Sequence, residues 1–210
     1  DGWIVNIAST LRLSIFIFLF LALSLWEVWR PDHKPVVERK ARWVSNIVLI
    51  VFNTIIVRVL FPLSAVVFAD LVKENHWGVL NIINLPLSLE IFVGIILLDF
   101  IIYIQHILFH SIPILWRIHR MHHADLELDV TSGTRFHPLE MVISMCIKFM
   151  AIFLLGISPL VVVLFEIILN GMAMFNHSNI YLPKNIDLFL RLFFVTPAMH
   201  RVCLLYTSPS

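Results

Sequence analysis

The sequence predicts an all-α, multi-span helical membrane protein: about four transmembrane segments, the last a hairpin, under a histidine-rich cap on the cytoplasmic side. Three observations predict it. Of the 210 residues, 60% are hydrophobic and 14% charged, with a mean hydropathy of +0.91. A soluble domain of this length has no core large enough to hide so much apolar side chain, so the bilayer must act as solvent. The apolar residues also fall in runs close to or above the roughly 20 that one helical crossing needs. Finally, His106, His110, His119, His122 and His123, half of the chain's ten histidines, crowd together at the edge of one such run.

The first span is Leu11 to Trp29, apolar apart from Arg12, Ser14, Ser24 and Glu27. The loop that follows, Arg30 to Arg42, carries Pro31, Pro35 and five basic residues against two acids, which places it in the cytoplasm by the positive-inside bias. Asn46 to Ala69 is the second span, with Arg58 and Pro62 inside it. An arginine there needs a partner or a route to the interface. Asp70 to Asn84 is short, mixed in charge and assigned to the far side. Leu85 to Ile104 is the third span, with Pro86 suited to a first helical turn. It delivers His106 and His110 to the membrane edge, and Pro113 then breaks the helix, so His119, His122 and His123 are expected on a separate one.

Met141 to Phe175 is about 35 residues, too long for one crossing. Gly156-Ile157-Ser158-Pro159 at its middle is a natural turn. Two helices forming a hairpin return His177 to the side of the other histidines; a single long kinked helix would strand it opposite. Pro183 to Val195 is amphipathic, with Lys184, Asp187 and Arg191 among Leu, Ile and Phe, as an interfacial helix is.

Other function classes find little support. A net charge of +1 gives no basic footprint for a nucleic acid. Cys146 and Cys203 make neither a disulfide framework nor a C-x-x-C pair. There are no internal repeats. The chain opens on Asp1 rather than Met, so an N-terminal piece is expected to be missing, and no cleavable signal is recognisable.

The histidines carry the chemistry. His106 and His110 stand four apart; His119, His122 and His123 stand three and four apart. On a helix each group would present its imidazoles on one face. Neutral imidazole is a common ligand for iron, zinc and copper. One histidine on an apolar face is best read as a satisfied core residue, but five at these spacings point to a metal site.

The pattern resembles the fatty acid hydroxylase and sterol desaturase superfamily of membrane non-haem di-iron enzymes, whose motifs are H-x3-H, H-x2-HH and a later H-x2-HH. His106-x3-His110 and His119-Arg-Met-His122-His123 match the first two. Asp99-x3-Tyr103-x2-His106, Arg135-Phe136-His137-Pro138-Leu139-Glu140 and Phe175-Asn176-His177-Ser178 are similar to the family as well. The likeness divides the chain into N-terminal transmembrane helices (1–90) and a catalytic domain (91–202). It implies two non-haem irons held by His106, His110, His119, His122, His123, His177 and His200, the first five being the catalytic set. O2 is the implied co-substrate, a membrane lipid (fatty acyl chain or sterol) the substrate, and hydroxylation or desaturation the reaction. Electrons come from an external donor of cytochrome or ferredoxin type, because the chain has no C-x2-C-H run and no G-x-G-x-x-G loop. His137 is expected to support a ligand by a hydrogen bond, and Asp99 either to orient an imidazole or to anchor a helix end.

The third motif departs from the pattern. His200 is followed by Cys203 and Leu204 where the resemblance calls for two histidines. The segment 203–210 resembles a translated sequencing adapter, so a non-native tail after Val202 is expected, and the chain as written is expected to be inactive. Two other classes compete: a metal transporter, which needs ligands in mid-span along a path, and a bis-histidine haem cytochrome, which adjacent His122 and His123 fit poorly.

Overall fold

A computed structural model describes residues 2–34, 37–83, 85–125 and 127–206. Asp1, Pro35, Asn84 and the last four residues of the tail lie outside the described residues. Those described form nine α-helices and no β-strand, and five of the helical segments are long and apolar enough to cross a membrane. The first is α1 (Gly2–Trp29). It begins nine residues before the apolar run, since a helix end tolerates Asn6, Ser9 and Thr10 although they lower local hydropathy.

The second crossing is broken in two. Helix α2 (Arg39–Leu60) stops at Phe61, and α3 (Ala65–Glu74) restarts with the Ser64 side chain accepting from Val67 N–H. Pro62 lies in the break, where its ring and missing N–H preclude a continuous ladder. The two pieces share one aromatic neighbour: Phe61 meets Phe149 edge-on at 5.4 Å and Phe68 stacks on it at 4.7 Å. Arg58 is exposed on the bundle surface.

Helix α4 (Leu87–Ser111) returns the chain, and α5 (Pro113–His119) starts on Pro113. Helices α6 (Pro138–Leu155) and α7 (Pro159–His177) form the expected hairpin. Gly156 ends α6 at φ +74°, a left-handed turn that favours glycine, and Pro159 opens α7. The tip lies backbone to backbone against the loop after α3: a Cβ on Gly78 would stand 2.1 Å from the Gly156 nitrogen. Helices α8 (Lys184–Leu190) and α9 (Pro197–Tyr206) follow. The amphipathic segment is thus helical for only seven residues. Its buried Asp187 pairs with Arg191 at 2.5 Å, while Phe189, Leu192 and Phe193 stay exposed.

Two apolar clusters fill the bundle. Ile4, Val66, Leu98, Ile152, Val161 and Phe165 belong to the one near the hairpin tip; Leu23, Val130, Met174 and Ile180 form the one near the histidines. At the seam the α1 residue Arg12 and the α6 residue Lys148 both pair with Glu166 on α7, Lys148 at 2.8 Å. Removing one partner of a buried ion pair leaves uncompensated charge and costs about 3–5 kcal/mol. Glu166→Leu, which leaves two cations facing each other, is expected to destabilise the bundle by about that amount, measurable by denaturant titration in micelles.

Above the second cluster, Asp125 and residues 127–136 are clamped by α1 and α2. Glu27, fully buried, accepts from Val130 N–H at 2.8 Å and from Asn179 N–H at 2.7 Å. Arg42 reaches Asp129 at 2.6 Å, Asp125 at 3.4 Å and the Glu127 carbonyl. Asn46 donates to Thr131 at 2.9 Å and accepts from Arg135 at 3.0 Å, and Asn53 donates to the Phe136 carbonyl at 2.8 Å. The polar residues of the first two helices therefore hold the segment that carries the site.

Candidate metal centre

Each histidine is placed by an identifiable local cause. His106 and His110 sit one turn apart on α4, whose end is pinned by buried Phe109 and by Gln105 donating to Ser144 on α6 at 2.6 Å. His119 is the last residue of α5. His122 and His123 are not on that helix; they lie in a 3-10 turn, His122–Ala124. The expectation that His119, His122 and His123 share one helical face is therefore corrected. The α-helix stops at His119, and the tighter turn directs the two adjacent imidazoles into different groups. His177 closes α7, and His200 rides on α9.

The rings sort into two sets. His110 lies 4.7 Å from His106, 4.9 Å from His119 and 4.8 Å from His123, between ring centroids. His177 lies 4.7 Å from His122 and 4.4 Å from His200. Possible ligand atoms of His110, His119 and His123 come within 4.8 Å of one another, as do those of His122, His177 and His200. A third such group joins His106 and His110 to Cys203. All seven expected residues are thus brought to one end of the bundle.

Hydrogen bonding shows which nitrogens are free. His122 Nδ1 lies 3.1 Å from the Arg135 carbonyl, His177 Nδ1 2.7 Å from the Ala173 carbonyl, and His123 Nδ1 3.3 Å from the Leu204 carbonyl. A carbonyl can only accept, so each Nδ1 carries the proton and each neutral ring is left with a bare lone pair on Nε2. Yet His122 Nε2 stands 3.0 Å from His177 Nε2, which is 3.1 Å from His200 Nε2. Two lone pairs at that distance repel unless a cation lies between them. In the other group the Nε2 atoms of His110, His119 and His123 are buried and have no hydrogen-bond partner. Buried polar atoms are rarely left unpaired, and nitrogens about 2 Å from a shared metal would be spaced like these. The residues fit a metal at both groups.

Their electrostatics suit that task. Burial, reinforced by the neighbouring imidazoles, pushes His123 and His200 down to about 4 and His122 well below its ordinary value. All three are neutral at pH 7, with lone pairs available for coordination.

Other expected residues fall elsewhere. Asp99 is exposed on α4, and no hydrogen bond joins it to an imidazole among the described residues. His137 caps α6, its Nδ1 accepting from Leu139 N–H at 3.2 Å; this is a helix-end role rather than support of a ligand. Leu204 turns a buried side chain inward and contributes only its carbonyl. The carboxyl that meets a histidine of the cluster is that of Glu140, 2.8 Å from His119 Nδ1. Nothing local in the sequence links residues 119 and 140, and an acid in a first helical turn reads simply as a favourable dipole contact.

Comparison with known proteins gives the family. The family model described as fatty acid hydroxylase matches residues 91–204. The chain is 29% identical over 117 residues to the ornithine lipid hydroxylase OlsE of Rhizobium tropici, a match covering 55% of this chain and 34% of that protein. The chain therefore spans about a third of the length of that curated relative. No solved structure matches significantly.

Proposed function

The chain belongs to the fatty acid hydroxylase family, and from that premise we propose that it is a membrane oxidoreductase whose two histidine groups hold a pair of non-haem irons for O2-dependent hydroxylation of a lipid. The observation that carries this reading is the convergence of bare Nε2 atoms, His122 on His177 at 3.0 Å and His177 on His200 at 3.1 Å. Both the family description and the relative's name specify a hydroxylase, which favours hydroxylation over desaturation. Iron, when bound, supplies the oxygen activation that an unactivated C–H bond needs and that side chains cannot provide.

The chain's own residues do the rest. Backbone carbonyls hold the Nδ1 protons of His122, His123 and His177, so that Nε2 faces inward. Neutral imidazoles add no charge to a site where the apolar spans end, where a charged ligand costs more to bury. His119, 5.4 Å from His122 between ring centroids, keeps the two groups adjacent. Electrons are drawn from a separate carrier of cytochrome or ferredoxin type. The basic residues of Arg30 to Arg42 support a cytoplasmic histidine end. A transporter would need ligands in mid-span, whereas these gather at one end. A haem would need open space between facing imidazoles, whereas these rings pack 4.4–6.2 Å apart.

The test is metal analysis of protein purified in micelles, with a visible spectrum and product analysis under O2. Iron with a hydroxylated lipid is expected. An intense Soret band, or zinc alone with no oxygen-dependent product, defeats the proposal.

A further inference from the structure

The structure assigns a positioning role to Glu140: its carboxyl accepts the Nδ1–H of His119 and so commits that imidazole to present Nε2 to metal. His119 is 0% exposed and Glu140 4% exposed, with 2.8 Å between Nδ1 and Oε1. No other hydrogen-bond partner is recorded for either His119 nitrogen. The other Nδ1 contacts of the cluster run to the carbonyls of Arg135, Ala173 and Leu204, which no substitution can delete. His119 alone relies on a side chain from another helix. Its ring is also the one in contact with His106, His110, His122 and His123 alike. A wrong tautomer there would turn an N–H toward the neighbours and remove one ligand from the middle of the cluster.

The geometry of α6 explains how the carboxyl is held. His137 caps the helix, Pro138 fixes its first turn, and Glu140 follows in that same turn, where side chains point back toward the N-terminus. Asn53 secures the Phe136 carbonyl just upstream at 2.8 Å, so the turn is tied to α2. Partners of this kind typically change metal affinity by about 10–100-fold when removed.

The role rests on the metal reading given above, and the experiment separates the two. In the full chain in micelles, ¹⁵N-histidine NMR of the metal-free protein reports the His119 tautomer, with the signal identified by its loss in His119→Ala. Co(II) then probes affinity through its ligand-field bands. Wild type is expected to show the Nδ1–H tautomer. Glu140→Ala should mix the tautomers and weaken Co(II) binding by about 10–100-fold, with helix content unchanged. Glu140→Gln, which can still accept from Nδ1–H, should recover the tautomer and much of the affinity. A purely structural glutamate would lower thermal stability and leave tautomer and spectrum as in wild type; that result overturns the proposal, as does an Nε2–H tautomer in wild type. If Co(II) binds with equal strength to wild type and to His119→Ala while the tautomer still depends on Glu140, the metal reading has failed separately, and the positioning role for metal falls with it.

Discussion

Replacing His122 by alanine is expected to abolish oxygen-dependent product and to cut bound iron, while leaving membrane insertion intact. His122 is 3% exposed and supplies one of the converging Nε2 atoms, 3.0 Å from that of His177. The side chain behind it is Phe136, stacked at 4.4 Å, which has no atom that can bind metal, so no neighbour replaces the lost ligand. His110→Ala should do the same to the other group, where its ring meets His106, His119 and His123. His33→Ala is the control, because that side chain is exposed and pairs only with Asp32 at 2.7 Å. Iron per chain and product per iron are the measurements. If the control loses as much iron as the two cluster variants, the damage is to folding and the ligand assignment falls.

Cys203→His is expected to raise the iron content of this chain and to bring activity up from near zero. The Cys203 sulfur lies with His106 and His110 in one potential ligand group, at the position where the family pattern calls for histidine. A thiolate is a softer ligand and brings charge, which favours zinc or copper(I) over a histidine-held iron. Adding Leu204→His extends the repair, although the buried Leu204 side chain must then yield its place to an imidazole. Iron and zinc per chain, measured at equal expression before and after the change, decide the matter. A wild-type chain already holding two irons and turning over a lipid would make Cys203 itself a competent ligand.

The parts legible in the sequence are those with a local signature. Gly156 to Pro159 announced the hairpin because a positive-φ glycine and a proline at N1 are requirements of the turn itself. Pro113 marked a real helix break for the same reason, whereas the break at Pro62 fell inside a run read as one span from Asn46 to Ala69 and was not foreseen. Of the seven histidines that converge at one end of the bundle, His106, His110, His119, His122 and His123 were legible through their spacing, and His177 and His200 through the family resemblance. Long-range polar pairing was not: Glu27 with Val130 and Asn179, Arg42 with Asp125 and Asp129, Arg12 with Glu166, and His119 with Glu140 join residues far apart in the chain. Each partner looks like an isolated blemish in an apolar or loop segment until the fold supplies its mate. The division of His122 from His123 was hidden too, because it depends on where α5 stops and no capping residue marks that point.

The two histidine groups also differ in when they can exist. His110, His119 and His123 lie within fourteen consecutive residues, so the first group is complete as soon as α4, α5 and the following turn are in place. The second joins His122 to His177 and His200 and must wait for the hairpin, α8 and α9. At a synthesis rate of roughly 5–20 residues per second, the 77 residues from 123 to 200 delay it by about 4–15 s. Until residue 177 is made, the nascent chain carries the residues of the first group and His122 without either of its partners. If the groups hold metal as proposed, the one assembled locally would be open to capture first, and the one assembled across the bundle only after the helices have docked.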